Sequence, residues 1–208
     1  MRTVVCNSKD GPAIYLSFEP ELVCEEDVFW LRTWLESVVG AKAGQTVQIG
    51  WVVDVFQPRE DGTLAIAEPD FSSLPIVWRQ SVTSTLRILR LQRDTVESFG
   101  LLDLMDCPSM SQSGLIGTDV GPSCNSFVME RSKPDAGDSG WFLGNLQPTC
   151  NYNDALNLRR CSLYEFGLIA PDSINFLSLP VGSKIVSRLG SIEVELDGKP
   201  LSTSAENR

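Results

Sequence analysis

Apolar positions along the chain follow two spacings, one typical of strands and one typical of helices. Short runs of β-branched and aromatic residues predict strands at 3–6 and 13–18, joined by a Lys-Asp-Gly-Pro turn. Apolar residues three and four apart then predict a helix at about 25–39. Trp30 and Trp34 lie four apart on a neighbouring stripe of this helix, and we expect both to widen its buried face.

The rest of the first hundred residues extends this pattern. The apolar run at 46–56 predicts one continuous strand, and an Asp-Gly turn at 61–62 returns the chain into a partner strand at 63–67. A second helix is predicted at 82–98. Its apolar face is traced by the residues Val82, Leu86, Leu89, Arg93 and Val96. Residues 1–100 are therefore predicted to be an α+β domain.

Residues 101–123 show no period and are rich in Ser, Pro and Gly, so we interpret them as a linker. Strands at 126–131 and 138–144 flank a polar loop and predict a hairpin around a buried Trp141. Ser162 and Glu165 have the spacing of a capping box, so a helix should begin near Leu163. The expected organisation is a second α+β domain at 124–200 and a frayed tail at 201–208, with mainly antiparallel sheets packed by helices in both domains.

Composition bounds the class of protein. The 208 residues are 42% hydrophobic and 21% charged, which is enough apolar content to bury a core. Neither a long apolar run nor the apolar region of a secretory signal occurs, so we expect a cytoplasmic protein that binds no membrane. The six cysteines are widely spaced and form no Cys-x-x-Cys pair, so reduced thiols are expected.

The chain contains no histidine, which removes the commonest general base and the commonest transition-metal ligand. The segment Gly137-Asp138-Ser139-Gly140 is similar to the nucleophile segment of trypsin-like proteases. Without a histidine there is no triad, however, and we interpret it as a turn before a strand. We expect no enzymatic activity, no metal and no cofactor.

Negative charge is spread over the whole chain. The net charge is −10, with 14 acidic and 9 basic residues at 1–100 and 13 and 8 at 101–208, so each part carries −5. Direct binding of nucleic acid is unexpected because phosphates would be repelled. A basic protein would be attracted instead.

Two carboxylate clusters are candidate contacts for such a partner. The first is Glu25, Glu26 and Asp27, which could equally serve the dipole of the predicted helix. The second is Asp135 and Asp138, which could equally cap the turn of the hairpin.

The order of motifs in the second half resembles the immunity protein 33 family of bacteria, whose members are encoded beside polymorphic toxins. The resemblance covers about residues 124–190. It rests on the run Phe127-Val128-Met129-Glu130-Arg131, on Pro134-Asp135, on the Asp138-Ser139-Gly140-Trp141 core and on the Leu-x-x-Pro-Val-Gly-Ser segment at 177–183. Two departures occur: Met129-Glu130-Arg131 stands where the family has Tyr-Arg-Glu, and the acidic loop of the family is mostly lost at 145–153.

The resemblance implies an antitoxin that binds a cognate secreted toxin, such as a type VI nuclease effector, and blocks its active site. Ser139, Gly140 and Trp141 would form the motif core. One alternative is a regulatory or small-molecule-binding module without a toxin partner. A second alternative is a hydrolase that depends on carboxylates alone.

Overall fold

The computed structural model describes residues 1–122 and 124–203. The chain divides into two units, Met1–Arg90 and Leu91–Arg208. Each unit is built on its own sheet.

Unit 1 contains a six-stranded sheet of mixed direction. Its strands are β1 (Arg2–Asn7), β2 (Ala13–Phe18), β3 (Thr46–Ile49), β4 (Val52–Pro58), β5 (Leu64–Pro69) and β6 (Trp78–Arg79). The strand order is β1-β2-β5-β4-β3, and β6 pairs with β5. Only the pairing of β2 with β5 is parallel among these strands.

Helix α1 (Glu25–Ser37) buries the apolar stripe that its spacing predicted, formed by Val28, Leu31 and Leu35. This stripe belongs to one apolar core with β-strand residues such as Leu16 and Phe56. Trp34 packs against the same core as expected, but Trp30 is 45% exposed. The predicted widening of the buried face therefore holds for one tryptophan and not for the other.

The predicted strand at 46–56 is two strands. Gly50 separates β3 from β4 and has a φ of +60°, a left-handed conformation that glycine adopts readily. The chain reverses there, and Thr46 pairs with Val55. Trp51, which follows the glycine, is fully buried and stacks on Phe71 with 5.7 Å between ring centroids.

Unit 2 contains a seven-stranded sheet. Its strands are β7 (Ser113–Gly117), β8 (Phe127–Arg131), β9 (Asp138–Asn145), β10 (Leu158–Ser162), β11 (Ser183–Arg188), β12 (Ser191–Leu196) and β13 (Lys199–Leu201). The order is β10-β7-β9-β8-β11-β12-β13. The predicted hairpin is confirmed as the antiparallel pair of β8 and β9, whereas β7 and β9 run parallel.

Helix α3 (Leu163–Ile169) begins where the capping box predicted. The Ser162 hydroxyl accepts the N–H of Glu165 at 3.2 Å, and the Glu165 carboxylate accepts the N–H of Ser162 at 3.1 Å. A 3₁₀ helix at Pro171–Phe176 follows and buries Phe176, which meets Phe127 edge-on at 6.3 Å between ring centroids. These segments supply apolar side chains to the core of unit 2.

Helix α2 (Thr83–Ser98) spans the boundary between the two units. Arg93, which the spacing placed on its apolar face, is exposed, and Gln92 is fully buried. The side chain of Gln92 is accommodated because it donates to the Ile174 carbonyl at 2.8 Å and accepts from the Ser178 hydroxyl at 2.9 Å. The buried face of α2 therefore includes Gln92 in place of the predicted Arg93, and the amide of Gln92 has hydrogen-bond partners for both its donor and its acceptor.

The domain boundaries differ from those expected. The first unit ends at Arg90 rather than at residue 100, and the predicted linker at 101–123 contains β7, which lies between β9 and β10 in the sheet. This segment is held because both sides of β7 are hydrogen-bonded to strands that lie later in the sequence. In the predicted tail, Leu201 ends β13, and residues 204–208 lie outside the described residues.

The expected α+β class, with mainly antiparallel sheets, is confirmed. No helix in the described ranges combines the length and the apolar character needed to cross a membrane.

Candidate partner-binding surfaces

The three carboxylates at the start of α1 have different surroundings. Glu25 is exposed and pairs with Arg2 at 2.8 Å. Glu26 is exposed, and its carboxylate makes no ion pair or hydrogen bond with another described residue. Since Cys24 provides no side-chain cap to the helix, all three negative charges also compensate the N-terminal end of its dipole.

Asp27 is engaged inside unit 1. Its two carboxylate oxygens accept hydrogen bonds from the Arg90 guanidinium at 2.8 and 2.9 Å, and its side chain is only 15% exposed. A bidentate pair of this kind is geometrically specific and fixes α1 against α2. Of the predicted contacts in this cluster, Glu25 and Glu26 face solvent and Asp27 is already paired.

Two exposed aromatic side chains lie beside these carboxylates: Phe29, which the sequence pattern did not indicate, and Trp30, which it predicted to be buried. Phe29 is 70% exposed and lies one helical turn after Glu25, and Trp30 lies one turn after Glu26. Trp30 stacks on Trp34 with 6.4 Å between ring centroids. We call Glu25, Glu26, Phe29 and Trp30 the α1 surface.

A small groove adjoins the α1 surface. It has a volume of about 140 Å³ and lies between β1 and α1, with Val4, Phe18, Val23, Val28 and Phe29 among its lining residues. Arg2, Glu25 and Arg32 are the charged residues that line it. We call this the β1 groove.

The second predicted cluster, at the hairpin of unit 2, is mostly used by the hairpin itself. Asp135 is exposed, and its carboxylate accepts the N–H of Ala136 at 2.7 Å. Asp138 accepts the N–H of Gly140 at 2.7 Å and forms an ion pair with Arg160. Both carboxylates therefore cap backbone N–H groups of the turn, and Asp135 is also exposed.

The Ser139-Gly140-Trp141 core forms an irregularity in the sheet. Between the pairs Ser113–Asp138 and Leu115–Phe142, β7 advances by two residues and β9 by four. Ser139 is buried in this bulge and donates its hydroxyl to the Ser113 carbonyl at 2.8 Å. The arrangement serves the sheet, and the Ser139 hydroxyl is buried rather than presented as a nucleophile.

Trp141 anchors the core of unit 2. Its side chain is 1% exposed, and its indole N–H donates to the Leu177 carbonyl at 3.1 Å. The partner that a buried indole requires is thus supplied by the segment after α3. The burial predicted for this residue is confirmed.

Arg131 is a buried residue that the sequence reasoning did not single out. It lies beside Trp141, with the guanidinium carbon 5.6 Å from the ring centroid. The guanidinium donates to the carboxylate of Asp106 at 2.7 Å and to the Leu179 carbonyl at 2.5 Å. Burial lowers the pKa of Arg131, and the negative charge of Asp106 opposes this shift. Arg131 therefore ties β8 to chain segments on both sides of it in sequence.

A pair of buried carboxyl groups lies in unit 1. Asp54 of β4 is fully buried and Glu68 of β5 is 3% exposed. Thr85 of α2 donates its hydroxyl to Asp54 at 3.1 Å and its N–H to Glu68 at 2.7 Å. One oxygen of Asp54 has no hydrogen-bond partner among the described residues. Burial raises the pKa of Asp54 well above its ordinary value, and the negative charge of Glu68 raises it further.

The described residues hold no group of three or more Cys, Asp or Glu side chains placed to bind a metal ion. No protein-family model, no curated protein and no solved structure matches this chain.

Proposed function

We propose that this protein is an immunity protein that binds a basic protein toxin and blocks its active site. The observation that carries the proposal is the α1 surface, where Phe29 and Trp30 are exposed beside Glu25 and Glu26. Exposed aromatic residues commonly provide the buried anchors of protein interfaces. Charged residues beside them select the partner and increase the association rate.

The charge of the whole chain supports a basic partner. A net charge of −10 attracts a positively charged protein over a distance of about 8 Å at physiological salt. The active site of a nuclease is a suitable target, because a site that binds phosphates is complementary to carboxylates. A type VI nuclease effector would fit this description. The resemblance of 124–190 to immunity protein 33 supports the same role.

The proposal is tested by capture from the native strain with the full-length chain. We expect a basic protein that arrests growth when expressed alone and permits growth when this chain is co-expressed. Phe29→Ala should weaken binding of the captured protein by about 30-fold, because loss of a buried aromatic anchor costs about 2 kcal/mol.

Leu156→Ala is the matched control, since Leu156 is 87% exposed and lies in unit 2. It should leave the affinity unchanged. A captured protein that does not arrest growth, or an arrest that this chain does not relieve, would refute the immunity role.

A further inference from the structure

Strand β1 lies at an edge of its sheet. Its single neighbour in the sheet of unit 1 is β2, and the two pair without interruption from Arg2 opposite Phe18 to Asn7 opposite Ala13. Arg2, Thr3, Val5 and Asn7 are exposed. Edge strands are commonly protected by a proline or a bulge, and β1 has neither. Its outer backbone groups can therefore pair with another extended chain.

The β1 groove offers a side-chain pocket next to this edge. Val4 of β1 contributes to its wall, and Val23 and Val28 contribute from the approach to α1 and from α1 itself. Its volume of about 140 Å³ is close to that of an apolar cavity of about 150 Å³ that holds benzene. The groove is thus suited to one aliphatic side chain.

The charges around the groove select the occupant. Arg2 pairs with Glu25 at 2.8 Å and Arg32 pairs with Glu36 at 3.0 Å, so both arginines are neutralised within the unit. Glu21 and Glu26 are exposed on the same stretch and have no described ion-pair partner. The unpaired Glu21 and Glu26 follow the lining residues Pro20 and Glu25 in sequence and add negative charge next to the groove. A segment with lysine or arginine on either side of its aliphatic residue is complementary to this arrangement.

We propose that β1 and the β1 groove bind an extended segment of the protein partner. The segment pairs with β1 as an additional strand, places one aliphatic side chain in the groove and directs basic side chains toward the glutamates. This binding mode combines backbone hydrogen bonds, which give affinity, with a pocket and charges, which give specificity. The inference rests on the proposed function and identifies the part of the partner that is recognised.

The test uses the full-length chain and a fluorescein-labelled peptide of sequence Lys-Val-Lys-Leu-Lys-Val-Lys at about 50 mM salt. We expect saturable binding by fluorescence anisotropy and no binding of the control peptide Glu-Val-Glu-Leu-Glu-Val-Glu. Val23→Phe, which fills the groove, should weaken binding by at least about tenfold. Val39→Phe is the matched control, since Val39 is exposed and does not line the groove. It should bind within about twofold of the unaltered chain.

Amide hydrogen exchange of the unaltered chain provides a measurement that does not depend on the folding of a variant. The Lys-Val-Lys-Leu-Lys-Val-Lys peptide should slow exchange within 3–7 and leave exchange within 46–49, the other edge of the sheet, unchanged. No saturable binding of the basic peptide up to about 1 mM, equal binding of the acidic peptide, or unchanged exchange in β1 would overturn the inference.

The two proposals can fail separately. A growth-arresting protein that is neutralised equally by the unaltered chain and by Val23→Phe would retain the immunity role and refute groove binding. Peptide binding with the expected specificity, without any growth-arresting partner, would retain the groove and refute the immunity role.

Discussion

Gly140 holds a backbone conformation that other residues adopt only at a cost. Its φ is +79°, and a Cβ added there would overlap the carbonyl oxygen of Ser132, which lies across the hairpin. The N–H of Ser132 donates to the Gly140 carbonyl at 2.9 Å, so the two chains cannot separate without losing this bond. The glycine of the Ser-Gly-Trp core is therefore explained by close approach of the backbone.

We expect Gly140→Ala to lower the free energy of unfolding by more than about 2 kcal/mol, because the overlap adds to the left-handed backbone cost of about 1–2 kcal/mol. Gly137→Ala is the control, since Gly137 has a φ of +75° and no atom of the described residues lies within 4 Å of an added Cβ. It should lose about 1–2 kcal/mol from the backbone cost alone. Urea unfolding followed by tryptophan fluorescence measures both losses, and equal losses would contradict the role of the Ser132 contact.

Asp54 links burial to pH. Its folded pKa is raised above the ordinary carboxyl value of about 3.9. The folded state therefore holds a proton more tightly than the unfolded state does. This contribution to stability is complete below the unfolded pKa and is lost as pH rises toward the folded pKa.

We expect Asp54→Asn to remove this dependence, because the amide has nearly the same shape and does not ionise. The stability of the unaltered chain relative to Asp54→Asn should fall as pH rises from about 4, by at most about 1.4 kcal/mol per pH unit for one proton. Chemical denaturation at a series of pH values measures this difference. Asp94→Asn, at an exposed position of α2, should run parallel to the unaltered chain. A constant difference across the series for Asp54→Asn would show that folding does not raise the pKa of Asp54.

Between elements, the contact of Asp27 with Arg90 ties α1 to α2. The pair is partly buried, with 15% and 32% of the two side chains exposed, whereas Glu25 and Arg2 are 80% and 53% exposed. Partly buried hydrogen bonds between charged groups stabilise a fold more than exposed ion pairs do. The ion pair of Asp27 should therefore stabilise the fold more than the ion pair of Glu25 does.

We expect Asp27→Asn to lower the free energy of unfolding by about 1–3 kcal/mol, and Glu25→Gln to change it by less than about 0.5 kcal/mol. Thermal unfolding of the two variants under the same conditions separates them. Equal midpoints would mean that the bidentate pair contributes little to the stability of unit 1.

Elements with a strong local pattern were predictable, and elements defined by distant partners were not. Helix α3 was located because Ser162 and Glu165 are three residues apart, and each side chain accepts the backbone N–H of the other residue. Strand β7 was missed because Ser113–Gly117 contains two apolar residues and two glycines, and its partners β9 and β10 come later in the chain. A strand of this kind is specified by non-local pairing, which a local window does not register.

The same distinction applies to the candidate site. Glu25 and Glu26 were identified from charge, which is visible in sequence. The exposure of Phe29 and Trp30 was not predicted, because an aromatic residue next to an apolar helical stripe usually widens the buried face. The partners of Asp27 and Arg131, which are Arg90 and Asp106, lie far away in sequence and could not be inferred from spacing.

At the scale of the whole molecule, each unit has one cysteine buried in its interior. All six are free thiols; Cys6 lies in the core of unit 1, Cys161 is buried in unit 2, and Cys24 is exposed. Burial raises the pKa of the Cys6 and Cys161 thiols to about 11. Both are therefore protonated as well as shielded near neutral pH, and thiols react as thiolates.

We expect iodoacetamide at pH 8 to modify Cys24 first and to modify Cys6 and Cys161 only when their units open. Peptide mass spectrometry after timed labelling identifies each site. Labelling in urea is the control in which all six should react together. Modification of Cys6 at the rate of Cys24 in the native protein would contradict the packing described for unit 1.

The position of β7 determines where the chain can be shortened for separate study of unit 2. A fragment that begins at residue 124 would lack β7, so β9 and β10 would lose the strand between them. A fragment that begins at residue 100 would still lack Gln92, whose amide bonds Ile174 and Ser178 in the interior. A truncation that preserves these contacts must include Gln92, and binding assays with shorter fragments would measure a damaged sheet rather than the contribution of the missing residues to binding.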